Sequence, residues 1–479
     1  MATLTREGAF PADYEDGIEG EFLTPPDEHG KRRWRWDVSG RALDARRRRR
    51  TDGLGLPDEF WQARPVLQHI RQAAYSRQRS ASAVLMGVLA RVAASVPYKL
   101  RLPAIVGARQ PLCFFAVFLA PPGGGKSSGK AIAKELLPLD GHPTLADDLP
   151  LGSGEGLAEI LFDWVEVEND EGKKRKVKQQ VRHHAFVYAD EGEVLSQLAA
   201  RNSSTTMSTL RSIWNGETLG QTNASQETRR IVEAGSYGFG VIVGLQEGKA
   251  DWILGDADAG TPQRFAWAFA ADPNIPDEPL LWPGEIDWTP GPEFGFGDII
   301  RGRNVMSVAE PVAAEIRAAD LRRNRGRSTP GDLSGHAYLL RLKIAGLLAV
   351  LDRRLDVTED DWRLAGMVAA SSDAVLGHAK EHVKVTADRR ERATSERYAN
   401  RQVEAESRTH AHRVVECAKR VRQKVQAKPG ISKADARSSL ARTWRAVFED
   451  GLAYAEAEQW VAERVEEGQG GEKHSLHPK

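Results

Sequence analysis

Apolar residues recur at helical spacing in two stretches before residue 100, at 66–74 and 81–94. Residues three and four positions apart share one face of a helix, so this spacing predicts two helices, each with an apolar face. The short polar segment between them favours a helical hairpin. We expect this hairpin to lead into the apolar run that begins at residue 111.

Four short segments that are apolar almost throughout follow the hairpin, at residues 111–120, 184–189, 237–246 and 264–270. Continuous rather than alternating apolar runs are typical of strands buried on both faces. Because helical patterns separate these runs, we predict an α/β fold with a mainly parallel sheet. The charged run 168–178 is flanked by alternating segments and predicts an exposed hairpin, either a partner surface or simply solvated.

The pattern becomes helical again beyond the predicted sheet. Residues 334–379 predict two or more helices, and Thr358 and Asp361 approximate the N-terminal cap of the second. A very polar helix is predicted over about residues 383–427, and a Pro-Gly pair ends it. We expect this region to form a helical lid beside the sheet.

The last fifty residues have a pattern of their own. Ser432 and Asp435 resemble a capping box that starts a short helix, and helical spacing continues over residues 444–459. Residues 460–465 and a glycine turn at 468–471 then indicate a hairpin. Helix, helix and hairpin after a preceding helix is the order of a winged-helix domain, which binds DNA or protein.

Arginines in that C-terminal region are candidates for DNA contact. Arg442 and Arg445 lie where a recognition helix would offer positive charge to a groove. The acidic residues Glu449 and Asp450 follow closely and favour the alternative, a winged helix that binds protein.

A glycine-rich segment joins the first apolar run to a helical pattern. Glycines at such a turn let the N–H groups of the helix start point at one centre, which favours an anion. Lys126 adds a positive charge, and Ser127 adds a hydroxyl suited to Mg²⁺, so ATP with Mg²⁺ fits better than a lone phosphate. The residues predicted to bind the nucleotide follow one another along the chain: Gly123, Gly124, Gly125, Lys126, Ser127 and Ser128.

The phosphate-loop motif G-x-x-x-x-G-K-[ST] fits this segment in two frames. The frame that ends at residues 125–127 has Ala120 in place of the first glycine. The frame at residues 124–130 has both glycines, but Ala131 follows and cannot bind a metal. We prefer the first frame because it begins at the strand; a glycine-rich turn with an incidental lysine is the alternative.

Acidic and amide side chains close two of the other apolar runs. Asp190 and Glu191 follow the second run, and the carboxyl ends of parallel strands meet at one edge of a sheet. We predict that Asp190 and Ser127 hold Mg²⁺ while Glu191 is the catalytic base; an acid pair that stabilises a helix N-terminus is the alternative. Gln246 ends the third run and is predicted to sense the terminal phosphate or position the water, unless it caps a loop.

One arginine is predicted to act on a neighbouring subunit. Arg264 precedes the fourth apolar run, and in a ring of identical ATPases an arginine can stabilise charge in the next chain's site. A structural ion pair is the alternative, and Arg201, Arg229 and Arg230 are further candidates for this role. The last two also lie in the loop 214–235, from which phosphate contact with DNA is possible.

Composition limits the remaining possibilities. A chain of 479 residues predicts two to four units, and a formal net charge of +0 removes any argument for nucleic-acid or membrane binding from bulk charge. Two cysteines, Cys113 and Cys417, form neither a disulfide framework nor a zinc site and favour a reducing cytoplasm. The sequence has no apolar stretch of membrane-spanning length and no signal-peptide pattern at its start, so we expect a cytoplasmic protein without membrane contact.

These patterns predict five regions. They are a disordered basic segment at 1–57, a helical lead-in at 58–102, an ATPase core at 103–300, a helical region with the long polar helix at 301–428, and a winged-helix-like domain at 429–479.

Together the motifs resemble P-loop ATPases encoded by phages, plasmids and integrated mobile elements. The resemblance rests on "APPGGGKSSGK", "GSGEGL", "YADEGE", "GLQ", "GTPQRF" and the C-terminal hairpin pattern, and it covers the chain from about residue 60 to its end. It implies a RecA-like or AAA+ core, ATP and Mg²⁺, assembly into a ring such as a hexamer, and a helicase role on single-stranded DNA. A primase or replication initiator would then come from another polypeptide.

Two other functions remain open at this stage. An ATP-dependent switch or loader would recruit a replication or defence partner without unwinding DNA. A small-molecule kinase is a third possibility, which the long C-terminal region and the Asp-Glu pair make harder to justify.

Overall fold

The structure, a computed structural model, describes residues 20–22, 34–36, 53–121, 124–168, 174–190, 205–221, 230–289, 304–327, 334–468 and 471–479. The chain divides into two units, Met1–Lys384 and Val385–Lys479, and each has an apolar core of its own. The disorder predicted for residues 1–57 concerns residues that lie largely outside the described ranges.

The strands of the first unit are, in chain order, β1 Gly20–Phe22, β2 Trp34–Trp36, β3 Arg101–Leu102, β4 Gln110–Pro111, β5 Phe114–Ala120, β6 Leu145–Pro150, β7 Phe162–Glu168, β8 Lys174–Gln180, β9 His184–Ala189, β10 Leu219–Gln221, β11 Arg230–Val232, β12 Gly238–Gln246, β13 Phe265–Phe269, β14 Ser307–Val308 and β15 Asp356–Val357. Among the described residues, the helices that begin in this unit are α1 Asp58–Gln62, α2 Pro65–Ser76, α3 Ala81–Ser95, α4 Lys126–Leu136, α5 Gly154–Glu159, α6 Thr206–Asn215, α7 Asp251–Leu254, α8 Glu310–Asn324, α9 Gly335–Leu351 and α10 Glu359–Ala427.

Five of these strands form one parallel sheet in the order β13-β5-β12-β9-β6. The four strands predicted from apolar runs are confirmed. The edge strand β6 was not predicted, because Asp147 and Asp148 interrupt its apolar pattern and the register shifts between Ala146 and Leu149. The architecture is therefore mixed α/β, with helices packed on a five-stranded parallel sheet.

The predicted helical hairpin is confirmed as α2 and α3. Ser80 caps α3 by accepting a hydrogen bond from the backbone N–H of Ala83 at 3.4 Å. Every residue of α3 is buried, and the helix packs against four strands of the sheet and against α4. A Cβ atom placed on Gly240 of β12 would lie 1.9 Å from the carbonyl oxygen of Ala90, so this close approach requires glycine.

A single helix, α10, replaces two predicted ones. The prediction of a boundary near residue 380 was wrong, because no proline interrupts the segment and the helix continues through Gly377 to Ala427. The predicted cap at its start is confirmed: Asp361 N donates to Thr358 Oγ1 at 3.2 Å, and Thr358 N donates to Asp361 Oδ2 at 2.8 Å. This reciprocal pair is a capping box.

The predicted charged hairpin is confirmed as β7 and β8, which pair antiparallel. Oppositely charged residues face each other across it, such as Glu166 opposite Lys176 and Glu168 opposite Lys174. Such cross-strand pairs stabilise the hairpin itself. Its predicted turn lies outside the described residues.

The second unit contains the end of α10, then β16 Ile431–Ser432, α11 Lys433–Ser438, α12 Arg442–Arg445, α13 Phe448–Ala457, β17 Val461–Gly468 and β18 Gly471–Pro478. The predicted cap is confirmed, since Ser432 Oγ accepts from Asp435 N at 3.0 Å, and the predicted hairpin is confirmed as β17 and β18. The single helix predicted at 444–459 was wrong: α12 and α13 are separate. In the part of the chain that the structure describes, no helix is both long enough and apolar enough to cross a bilayer.

Candidate phosphate-binding site

The glycine-rich loop joins β5 to α4 at the carboxyl edge of the sheet. Gly125 is the N-cap of α4 with φ of +76°, and Lys126 is the first helical residue. A Cβ atom on Gly124 would lie 2.9 Å from both the Cβ of Ala120 and the carbonyl oxygen of Pro121, so a side chain does not fit there. Because a glycine N-cap has no side chain to accept from the first helical N–H groups, these groups are suited to an anion.

Lys126 and Asp190 each lie beside a glycine of the strand between them. A Cβ atom on Gly244 of β12 would lie 3.5 Å from the Cβ of Lys126 and 3.1 Å from the carbonyl oxygen of Asp190. Gln246, two residues further along β12, is opposite Ala120 in the sheet register. The structure thus brings together three predicted site residues at one edge of the sheet, and Ser127, which is exposed, and Ser128 follow in the same helix turn.

The surroundings of Lys130 distinguish the two motif frames. Lys130 lies in the second turn of α4, where its Nζ is 3.0 Å from Asp148 Oδ1 and 3.1 Å from the ring centroid of Tyr188. Burial alone would raise the pKa of Asp148, but hydrogen bonds from Lys130 and Lys134 lower it below its usual value. Lys130 therefore has a structural partner in Asp148, whereas Lys126 is the first helical residue after the glycine loop.

An arginine that sequence reasoning missed also lies against this loop. The Nε atom of Arg79 is 3.1 Å from the position that a Cβ on Gly125 would occupy. Arg79 lies in the connection between α2 and α3, where no motif or periodicity distinguishes it. Only the packing of the hairpin against the sheet brings it to the loop.

A Glu–His contact occurs at the same sheet edge. Glu247 directly follows Gln246, is nearly buried at 9% exposure, and lies 2.5 Å from Nε2 of His378 on α10. The His378 ring also meets Phe269, the last residue of β13, edge-on at a centroid distance of 5.3 Å. Helix α10 is thereby anchored to the ends of two strands, a contact that local sequence patterns do not reveal.

Arg264 lies at the amino-terminal ends of the strands, on the side of the sheet away from the glycine loop. It directly precedes β13, whose carboxyl end is beside the glycine loop. Its side chain is buried at 7% exposure, donates to the carbonyl oxygen of Ala259 at 2.8 Å, and lies 5.6 Å from the Trp214 ring centroid. Burial lowers the pKa of Arg264, and the positive charge of the nearby Arg211 lowers it further. The structure does not bring Arg264 together with Lys126, and action on a neighbouring chain would require it to leave this environment.

The remaining predicted residues are not part of the described cluster. Arg230 lies in β11, whose partner is β10, but its side chain is outside the described set. In the second unit Arg442 is exposed, whereas Arg445 donates to the carbonyl oxygens of Leu440 at 2.8 Å and Ser438 at 2.7 Å. Four predicted residues lie outside the described ranges: Gly123, Glu191, Arg201 and Arg229.

Comparison with known proteins adds little to this geometry. No family model matches the sequence, and no curated protein matches it. Among solved structures the chain is similar to a full-length MCM homolog from Methanopyrus kandleri, with a TM-score of 0.34 and 13% identity over 66% of this chain. The match spans 61% of that protein's length.

Proposed function

We propose that the first unit binds and hydrolyses ATP at the loop between β5 and α4. The observation that carries the proposal is the convergence of Lys126 and Asp190 beside Gly244, at the sheet edge where a glycine N-cap opens a helix. Ligands of parallel α/β sheets bind at this edge. In this function the first-turn N–H groups and Lys126 hold the phosphates, and Gln246 orients the attacking water.

The residues at the loop also fit Mg²⁺. The hydroxyl of Ser127 and the carboxylate of Asp190 are hard oxygen ligands, and Mg²⁺ typically takes one or two protein oxygens together with substrate phosphates. The fit is supported by the tight loop at Gly124, which excludes a side chain beside Ala120 and Pro121. Bound Mg²⁺ would neutralise the charge that develops on the phosphates. Glu191 is proposed to accept the proton of the attacking water.

The more specific proposal is a ring-forming motor that moves on single-stranded DNA as a replicative helicase of a mobile element. Its support is the resemblance of the sequence motifs and the order of the second unit, in which short helices precede a C-terminal β-hairpin, an order compatible with a winged helix. The exposed Arg442 is a candidate DNA contact, together with Arg229 and Arg230. Arg264 is retained as the candidate trans-acting residue, and a separate primase or initiator as a partner.

Nucleotide binding is tested by comparing Lys126→Ala with Lys130→Ala. Binding is followed by fluorescence anisotropy of a labelled, nonhydrolysable ATP analogue with Mg²⁺, and turnover by phosphate release. We expect Lys126→Ala to weaken binding about 10- to 100-fold, the range for one lost charge-assisted hydrogen bond, and to abolish turnover. Lys130→Ala removes the contact with Asp148 and should lower the melting temperature while leaving nucleotide affinity unchanged.

The result that overturns the proposal is equal affinity of Lys126→Ala and the wild type for the analogue. Strand displacement by the purified chain then separates the two classes of ATPase. Turnover that rises with single-stranded DNA and drives unwinding supports the motor. Slow turnover that is indifferent to DNA supports a switch or loader that recruits a replication or defence partner.

A further inference from the structure

The connection between α2 and α3 lies against the glycine loop and is held there rigidly. Ser80 Oγ donates to the carbonyl oxygen of Phe269 at 2.7 Å, which fixes the connection to the carboxyl end of β13. Gln78 Nε2 donates to the carbonyl oxygen of Asp277 at 3.0 Å. Gln78 also has φ of +51°, a conformation that non-glycine residues adopt only when their surroundings enforce it.

This anchoring aims the side chain of Arg79 at the loop. Beyond the Nε atom already described, the Cδ and Cζ atoms of Arg79 lie 3.3 and 3.7 Å from the Cβ position of Gly125. The guanidinium therefore lies against Gly125, the N-cap residue of α4. A side chain at residue 125 would displace it, so the glycine serves the arginine as well as the backbone turn.

The hydrogen-bonding capacity of Arg79 is largely unused. Its Nη1 atom donates to the carbonyl oxygen of the preceding residue, Gln78, at 2.9 Å. Its Nε atom is buried and, within the described residues, has no hydrogen-bond partner. A guanidinium carries five N–H donors, and a buried donor without an acceptor is costly.

Two other arginines of the same hairpin differ from Arg79 because each forms an ion pair with a carboxylate of the chain. Arg71 Nη1 is 2.6 Å from Asp58 Oδ1, and Arg77 Nη2 is 3.3 Å from Glu135 Oε2. Over the described part of the chain, no carboxylate oxygen lies within 4.0 Å of Arg79. Among the described residues, none therefore supplies an acceptor for the Nε atom of Arg79, and a guanidinium is well suited to pair with an anion.

We propose that Arg79 donates hydrogen bonds to the phosphate oxygens of the nucleotide bound at the loop of its own chain. This inference rests on the proposed ATP site and adds a second cation to Lys126, delivered by the helical hairpin rather than by the motif. The planar guanidinium fork matches two phosphate oxygens, whereas an ammonium acts as a point charge. Arg79 then contributes to affinity for the phosphates, not for the base.

The test compares Arg79→Ala with Arg77→Ala, which removes the same charge from the same connection. Affinities are measured for adenosine, for ADP and for the nonhydrolysable ATP analogue, each with Mg²⁺. We expect Arg79→Ala to weaken binding of the ATP analogue about tenfold or more, the loss of a charge-assisted hydrogen bond, and to leave adenosine binding unchanged. Arg77→Ala should bind all three as the wild type does, and Arg79→Lys should recover part of the loss.

Two results would overturn the inference. One is wild-type affinity of Arg79→Ala for the ATP analogue; the other is an equal loss for adenosine and the analogue, which would indicate a purely structural role. Arg79→Gln keeps a donor for the carbonyl of Gln78 and provides the same comparison in case the alanine variant does not fold. Loss of binding in Lys126→Ala with no effect at Arg79 would refute this inference alone, whereas no effect in Lys126→Ala would refute the ATP site itself.

Discussion

Replacing Gly240 with alanine should weaken the packing of α3 on the sheet. The added Cβ would lie 1.9 Å from the carbonyl oxygen of Ala90, 2.8 Å from its carbonyl carbon and 3.2 Å from the Cβ of Ala94. Contacts below 3.0 Å are essentially never seen for real Cβ atoms, so the helix backbone must move by about an ångström. Because α3 is buried along its whole length, we expect the upper end of the usual overpacking cost, about 3 kcal/mol.

The chain provides graded controls for this substitution. A Cβ on Gly238 of the same strand would lie 3.4 Å from the carbonyl oxygen of Ala93, an ordinary contact, and a Cβ on Gly248 would meet nothing within 4 Å. Thermal melting followed by circular dichroism should place Gly240→Ala roughly 4 °C below the wild type, because the unit Met1–Lys384 shifts by only about 1.2 °C per kcal/mol at an unfolding entropy of about 2.1 cal/mol/K per residue. Gly248→Ala should melt within about 1 °C of the wild type, since substitutions at open surface positions change stability by no more than about 0.5 kcal/mol. If Gly240→Ala had the same melting temperature as Gly248→Ala, the close packing of α3 on β12 would be refuted.

Two buried basic groups should make stability depend on pH. Burial lowers the pKa of Lys343, which donates to the carbonyl oxygens of Cys113 at 3.1 Å and Trp214 at 2.6 Å, to about 7. Between pH 7 and its ordinary value of 10.5 only the unfolded chain binds this proton, so stability should rise by about 1.4 kcal/mol per pH unit. In Lys343→Met, the urea midpoint of unfolding should not rise between pH 7 and 10.5 as it does in the wild type. If the midpoints of the two proteins rose in parallel with pH, this prediction would be contradicted. Burial likewise lowers the pKa of His184, whose Nδ1 pairs with Thr144 Oγ1 at 2.8 Å, to about 3, so protonation of the unfolded chain should destabilise the protein as pH falls below 6.5. His184→Asn should show a shallower loss of ellipticity over this acid range, and an unchanged acid transition would count against a neutral, buried imidazole.

Local patterns predicted the elements of the core well. The apolar runs of β5, β9, β12 and β13 and the helical spacing of α2 and α3 depend only on which side chains must be buried, so each can be detected within a short window. The caps at Thr358 and Ser432 were predictable for the same reason, because the partner of each is three residues away. The glycine loop was likewise visible from its composition.

Features that depend on distant packing were not predictable. Strand β12 lies between β5, which leads to Lys126, and β9, which leads to Asp190. This position follows from the sheet order, which no local pattern encodes. The contact between Glu247 and His378 joins residues 131 positions apart, and Arg79 reaches Gly125 only through the docking of the hairpin. The continuity of α10 was missed because a change from apolar to polar composition resembles a boundary although the backbone continues.

The burial of α3 along its whole length affects how the first unit can be dissected. A fragment that starts at residue 103 would retain every strand of the large sheet, yet it would expose the apolar surface that α3 covers, including the groove at Gly240. During synthesis α3 leaves the ribosome before any strand it packs on. Its apolar side chains therefore stay exposed until those strands have been synthesised. Soluble fragments of the first unit should therefore begin before α2, so that they keep the helical hairpin that covers the sheet.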